Sequence, residues 1–140
     1  KNSLSLEGCN KIFIACKNSI PESEINKLSN GLYDLIENSL KDCLEKWPTH
    51  LSRGIIHGDL FPDNVFFINN SLSGIIDFYF SCNDYYAYEI AICINAWCFE
   101  EKSNEFNISK AKKLLSSYNG VRELTINEID SLPLLCRAAA

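Results

Sequence analysis

Methionine is absent altogether, no two cysteines form a CxxC pair, the six glycines build no GxGxxG, and basic residues are outnumbered by acidic ones, 13 to 18. Each lack excludes something. A formal charge of -5 leaves no basic surface for nucleic-acid phosphates, so no nucleic-acid partner is expected. No window reaches the roughly 18 apolar residues of a membrane span. The opening KNSLSLEGCNK also lacks the apolar segment of a signal peptide. Seven cysteines at scattered positions are an odd count and form no disulfide framework. Cys93 and Cys98 lie in an apolar run without a histidine, which argues against zinc. Reduced thiols in a cytoplasmic protein are the expectation. With no initiating methionine, and with Arg137-Ala138-Ala139-Ala140 carrying no helix-stop signal, residues 1–140 read as a single partial domain cut from a longer protein at both ends.

What is present is 140 residues, 46% of them hydrophobic, enough for a real core. The informative stretch runs from Gly54 to Phe80, GIIHGDLFPDNVFFINNSLSGIIDFYF. Ile55-Ile56 reads as a short buried strand entering a polar loop. Val65 to Ile68 is a second apolar run, Asn69-Asn70-Ser71 a turn, and Leu72 to Ile76 a third run that stops at Asp77. Two apolar strands joined by an Asn-rich turn predict a hairpin. Its closure brings Asp77 back beside Asn64, with Asp59 five residues before that amide. Oxygen donors so arranged suit a divalent cation.

The flanks are mostly helical. Leu4 to Cys16 fits either a helix or a strand. Pro21 suits a first helical turn, and Ile25, Leu28, Leu32, Leu35, Ile36, Leu40, Cys43, Leu44 and Trp47 recur at spacings of three and four. That periodicity predicts one long amphipathic helix with a buried stripe, closed by Pro48 and weakened at Gly31. Ser81 to Asp84 reads as a loop. Tyr85 to Phe99 is apolar on nearly every side, which predicts a helix buried all round. Glu89 and Asn95 are its only strongly polar members, and a buried carboxylate needs partners, so Glu89 is expected to serve a nearby backbone or loop. An amphipathic helix follows near Ser109 to Tyr118 and stops at Asn119-Gly120. Thr125 and Glu128 have capping-box spacing and open a short helix. Pro133 starts the last one.

His57-Gly58-Asp59-Leu60-Phe61-Pro62-Asp63-Asn64 has the H-x-D-x-x-x-x-N spacing of the kinase catalytic loop. One carboxylate has to face an acceptor hydroxyl, here Asp59. A neutral amide a loop turn later, Asn64, faces a metal, and Asp77 supplies that metal with negative charge. Hard oxygen donors of this kind suit magnesium. His57 is expected to orient the loop rather than move a proton, and Asp63 to cap a turn.

The segments HGDLFPDNVFF and SGIIDFYFSCNDYYAYEIAICINAWCFE resemble the aminoglycoside phosphotransferase-like kinases, and most closely the homoserine kinases among them. The opening NSLSLEG carries the similarity toward the start, so it covers nearly the whole chain. The resemblance implies an α+β fold, the mostly helical C-terminal lobe of a protein-kinase-like domain with a small β-hairpin carrying the catalytic and metal residues. It matches Asp59 to the catalytic base and Asn64 and Asp77 to the magnesium ligands. Glu89 stands where the family usually has an aspartate that braces the catalytic loop, one methylene longer here. Gly58 replaces the arginine of protein kinases, so control by activation-loop phosphorylation is not expected. The nucleotide-binding lobe has no counterpart in the chain, and without it little turnover is expected.

The implied reaction is ATP-dependent phosphorylation of the L-homoserine hydroxyl in threonine biosynthesis, with Mg2+ as cofactor. Asp84 and Glu100 are candidates for the substrate amino group; Phe61, Tyr79 and Trp97 are candidate pocket walls, with core packing favoured for Trp97. The alternatives are a kinase of another hydroxyl acceptor, such as choline or an aminoglycoside, and a non-catalytic lobe. Intact Asp59, Asn64 and Asp77 speak against the last.

Overall fold

The structure is a computed structural model that describes residues 5–27 and 31–140. They fall into two compact units, one ending at Trp47 and the other starting at Pro48.

In the first unit, the Ser5 side chain accepts a hydrogen bond from the Gly8 N–H and opens α1, Leu6–Ser19. Of the stretch that fitted either helix or strand, residues 6–16 are therefore helical, and Leu4 lies outside the described residues. The long helix expected from Pro21 to Trp47 is interrupted, giving α2, Glu22–Ile25, and α3, Leu32–Lys46. The reason sits at Gly31, whose φ of +76° is left-handed and stands at the start of α3. Leu28 and Asn30 of that expected helix lie outside the described residues. α3 packs on α1, where the Phe13 and Tyr33 rings lie 5.5 Å apart and the Lys17 ammonium meets the Glu37 carboxylate at 2.6 Å. The expected stripe is only partly buried: Cys43 is covered, while Leu35 is 64% exposed and Tyr33, outside the stripe, is buried instead.

The second unit contains β1, Arg53–Ile56, β2, Val65–Ile68, β3, Ser71–Ile75, and β4, Cys82–Tyr85, followed by α4, Tyr86–Trp97, α5, Ile108–Asn119, and α6, Ile126–Ala138. β2 and β3 form the expected hairpin, with Val65 opposite Ile75 and Ile68 opposite Ser71. Asn69 and Asn70 both take positive φ, as a two-residue type I′ turn requires. β1 pairs antiparallel with β4, Ile56 facing Cys82 and Gly54 facing Asp84. Residues 82–84 are thus strand rather than the expected loop. Their polar composition carries no strand pattern, and the pairing is supplied by β1. Ile56 is buried, but its neighbour Ile55 points outward and is 74% exposed, as alternation along a strand demands.

α4 is the core of this unit. None of its residues is exposed, and α6, α5 and β1 pack around it. Asn95 donates to the Cys136 carbonyl at 2.8 Å and ties α4 to α6. α6 is one helix across Pro133, where two had been expected. Leu132 and Leu135, on either side of the proline, are both buried, so packing holds the helix through the missing N–H. The capping box of Thr125 and Glu128 is formed, and Glu128 is fully buried with Arg122 at 2.6 Å. The architecture is α+β, mostly helical with a small hairpin. None of the seven cysteines is in a disulfide; burial, then the charge of Glu89, pushes the Cys93 thiol up to about 12. Among the described residues no helix is long and apolar enough to cross a membrane.

Candidate active site

Residues 57–64 connect β1 to β2, and their shape is set by groups outside the loop. The Glu89 carboxylate, at the first turn of α4, accepts hydrogen bonds from the backbone N–H groups of His57 and, at 3.0 Å, Gly58. One oxygen takes both donors. The other, Oε1, is buried and has no partner among the described residues. The extra methylene relative to aspartate does not prevent these contacts.

His57 is buried and uses both ring nitrogens on the backbone. Nδ1 accepts from the Asp59 N–H at 3.3 Å, which leaves Nε2 to donate to the Ile76 carbonyl at 2.9 Å. Its ring also packs 4.8 Å from Phe78, and its carbonyl accepts from the Ser81 hydroxyl at 3.3 Å. Gly58 has a φ of +79°, and a Cβ there would stand 2.8 Å from the Phe80 carbonyl oxygen. A side chain at this position is excluded both by backbone conformation and by space.

The Asn64 amide is buried and donates to Asp59 twice, to the carbonyl at 2.8 Å and to the carboxylate at 3.1 Å. Its nitrogen is thereby spent, and its oxygen is the end left to face a cation. The Asn64 carbonyl in turn accepts from the Ile76 N–H at 3.1 Å. This cross-strand bond puts Asp77, the next residue, at the mouth of the hairpin beside Asn64. Asp77 is exposed and adopts a φ of +61°, unusual for a residue with a side chain. Asp63 is exposed within the single turn Pro62–Asn64. An amide oxygen and a carboxylate are hard donors of the kind magnesium takes.

The remaining candidates separate. Asp84 is buried on β4, where its carboxylate accepts from the Tyr85 N–H at 2.8 Å and lies 3.5 Å from the Arg53 guanidinium. It faces Gly54, two rungs down the strand pair from the loop, which makes it a structural partner of Arg53 and not a group of the loop. Phe61 is half exposed and Tyr79 is 84% exposed. Neither lines the cavity of about 1180 Å³ whose walls include Leu60, Pro62, Trp97 and Glu100. Glu100 is held there by the Asn107 amide and by Lys110 at 3.2 Å, and these contacts push its carboxyl below the usual range. Trp97, for which core packing was favoured, donates its indole N–H to the Leu60 carbonyl at 2.8 Å. The loop is therefore pinned from α4 at both ends, by Glu89 and by Trp97. A single tryptophan at the end of an apolar helix carries no sequence signal for such a bond.

Comparison with known proteins gives this geometry its context. The profile of the phosphotransferase enzyme family matches residues 22–124, most of the chain and all of the loop and hairpin. The chain belongs to the phosphotransferase enzyme family. It is 50% identical over 139 residues to a homoserine kinase of Rhizobium meliloti (strain 1021), a match covering 99% of this chain and 41% of that protein. A homoserine kinase of Parvibaculum lavamentivorans is 48% identical over 140 residues, covering 100% of this chain and 42% of the relative. This family member thus spans about two-fifths of the length of the curated relatives it matches. Among solved structures, an aminoglycoside-3'-phosphotransferase of type VIII superposes with a TM-score of 0.64 at 17% identity, over 95% of this chain and 49% of that one. At that identity the likeness is one of fold.

Proposed function

We propose that this segment is the acceptor-side lobe of a homoserine kinase, transferring the γ-phosphoryl group of ATP to the hydroxyl of L-homoserine and yielding ADP and O-phospho-L-homoserine. The observation that carries the reading is the Asp59–Asn64 pair. A carboxylate and an amide are locked together by a 3.1 Å hydrogen bond, and the hairpin delivers Asp77 alongside, in a chain about half identical to homoserine kinases.

In this scheme Asp59 orients the acceptor hydroxyl and takes its proton as the oxygen attacks the γ-phosphorus. The new O–P bond forms while the bond to the β-phosphate oxygen breaks and ADP leaves. Asn64 and Asp77 are the residues that would hold Mg2+, which neutralises phosphate charge when bound. His57 and Glu89 keep Asp59 in place through the backbone and exchange no proton with substrate. The scheme needs a nucleotide-binding lobe, for which the longer relatives have room. It makes the enzyme cytoplasmic, the compartment of ATP and free amino acids, and part of threonine biosynthesis, with no nucleic-acid partner.

The test is an assay of the whole enzyme with ATP, magnesium and a panel of acceptor alcohols. Homoserine is expected to lead; clear preference for choline or an aminoglycoside overturns the acceptor. Asp59→Asn is expected to lower kcat by about 10²- to 10⁴-fold with an unchanged circular dichroism spectrum. Near-normal turnover in that variant removes Asp59 as base.

A further inference from the structure

L-Homoserine carries an ammonium and a carboxylate besides the hydroxyl that reacts, and the loop offers nothing for the carboxylate. The cavity beside the loop does. One wall starts at Leu60, the residue after Asp59, and continues through Pro62 and Trp97. Charged side chains of α5 and of the segment before it stand at its rim, among them Glu100, Lys110 and Lys113. Lys110 and Lys113 are three residues apart and so share a helix face. Lys110 is engaged with Glu100 at 3.2 Å. Lys113 is exposed and has no ion pair among the described residues.

The cavity, at about 1180 Å³, is far larger than an amino acid, so its volume cannot select one. Opposite charges on one rim can, because a zwitterion satisfies both and an alcohol with a single charge leaves one unmatched. We propose that Lys113 is the specificity-determining residue that takes the acceptor's carboxylate, with the Glu100 carboxylate receiving its ammonium, an assignment that rests on the acceptor reading above. Lys110 serves as the positioning residue: its contact with Glu100 holds that carboxylate at the rim.

The experiment compares the whole enzyme with its Lys113→Ala and Lys112→Ala variants on homoserine, on 3-aminopropan-1-ol, which lacks the carboxylate, and on 4-hydroxybutyrate, which lacks the ammonium. Lys112 is the neighbouring exposed lysine outside the cavity lining and controls for net charge. Lys113→Ala is expected to lower kcat/KM for homoserine by about 10- to 100-fold, the effect of one lost charge-assisted hydrogen bond. The KM for ATP and the kcat/KM for 3-aminopropan-1-ol are expected to stay unchanged, so that the preference for the carboxylated acceptor collapses. Lys112→Ala is expected to keep that preference. Homoserine turnover with an unchanged preference in Lys113→Ala overturns this assignment alone. A wild-type enzyme that ignores homoserine overturns the acceptor reading and this assignment with it.

Discussion

Glu89 and Gly58 stand 31 residues apart in sequence and are joined by a 3.0 Å hydrogen bond from the glycine N–H to the carboxylate. The same oxygen accepts from the His57 N–H, so one side chain of the central helix holds two consecutive peptide groups of the loop. Glu89→Ala leaves both donors unpaired, at about 1–3 kcal/mol each. Chemical denaturation should register a loss of about 2–5 kcal/mol, and kcat should fall further than the KM values rise, because the loop no longer fixes Asp59. Glu89→Gln keeps an acceptor oxygen and should lose less. An alanine variant with the wild-type denaturation midpoint would remove Glu89 from the support of the loop.

His57 joins the loop to the hairpin through Ile76 and to Asp59 through the ring's other nitrogen. His57→Phe keeps a ring beside Phe78 but strips both hydrogen bonds. We expect a stability loss of about 1–3 kcal/mol and a kcat reduced at least tenfold. If the imidazole transferred a proton, added imidazole would restore turnover to the variant. The positional role predicts no such rescue.

Close approach sets the residue at the opposite end of β1. A Cβ on Gly54 would lie 1.8 Å from the Tyr86 hydroxyl oxygen, and the Tyr86 ring is covered by the Arg122 guanidinium at 4.8 Å. Gly54→Ala must push the ring away from Arg122, and a loss of about 1–3 kcal/mol is expected. Tyr86→Ala removes the obstacle, so the two substitutions together should cost clearly less than their sum in thermal or chemical unfolding. Additive losses would mean that the ring does not set the limit.

The Glu128 carboxyl is drawn in opposite directions. Burial raises it, while hydrogen bonds from Arg122 and from the Thr125 N–H and hydroxyl lower it, and the balance lies below the ordinary range. A group ionised more readily in the folded chain contributes stability above its unfolded pKa of about 4.3. That contribution is lost as pH falls through the lower folded value. Glu128→Gln should destabilise by about 1–3 kcal/mol at neutral pH, because the half-buried Arg122 loses its charged partner. The difference between variant and wild type should shrink below about pH 4. A difference that does not change between pH 7 and pH 3 would refute the charge-based account.

Much of this was legible in the residues. The hairpin followed from two apolar runs around Asn69-Asn70, and α4 from an apolar stretch too short for a bilayer. The need to pair Glu89 was readable too, since a buried carboxylate demands partners. Other features were not. Residues 82–85 carry no strand pattern, and their pairing is imposed by β1. The stripe from Pro21 to Trp47 kept helical spacing across a glycine that the backbone turns left-handed. Leu35 fits that stripe by period yet remains exposed, because periodicity names a face and says nothing of what covers it.

Asp59, Asn64 and Asp77 were fixed as candidates by sequence alone, because their spacing is local and the hairpin that returns Asp77 to Asn64 is short. Which partners hold them was decided only by the tertiary structure. Glu89, Trp97 and the Ile76 carbonyl reach the loop across separations of 32, 37 and 19 residues. Likewise Asp84, an apparent candidate for a substrate amino group, was claimed by Arg53 and its own strand. A carboxylate looks the same in a sequence wherever it lies; burial and the nearest donor determine whether it binds substrate, braces a loop or pairs with an arginine.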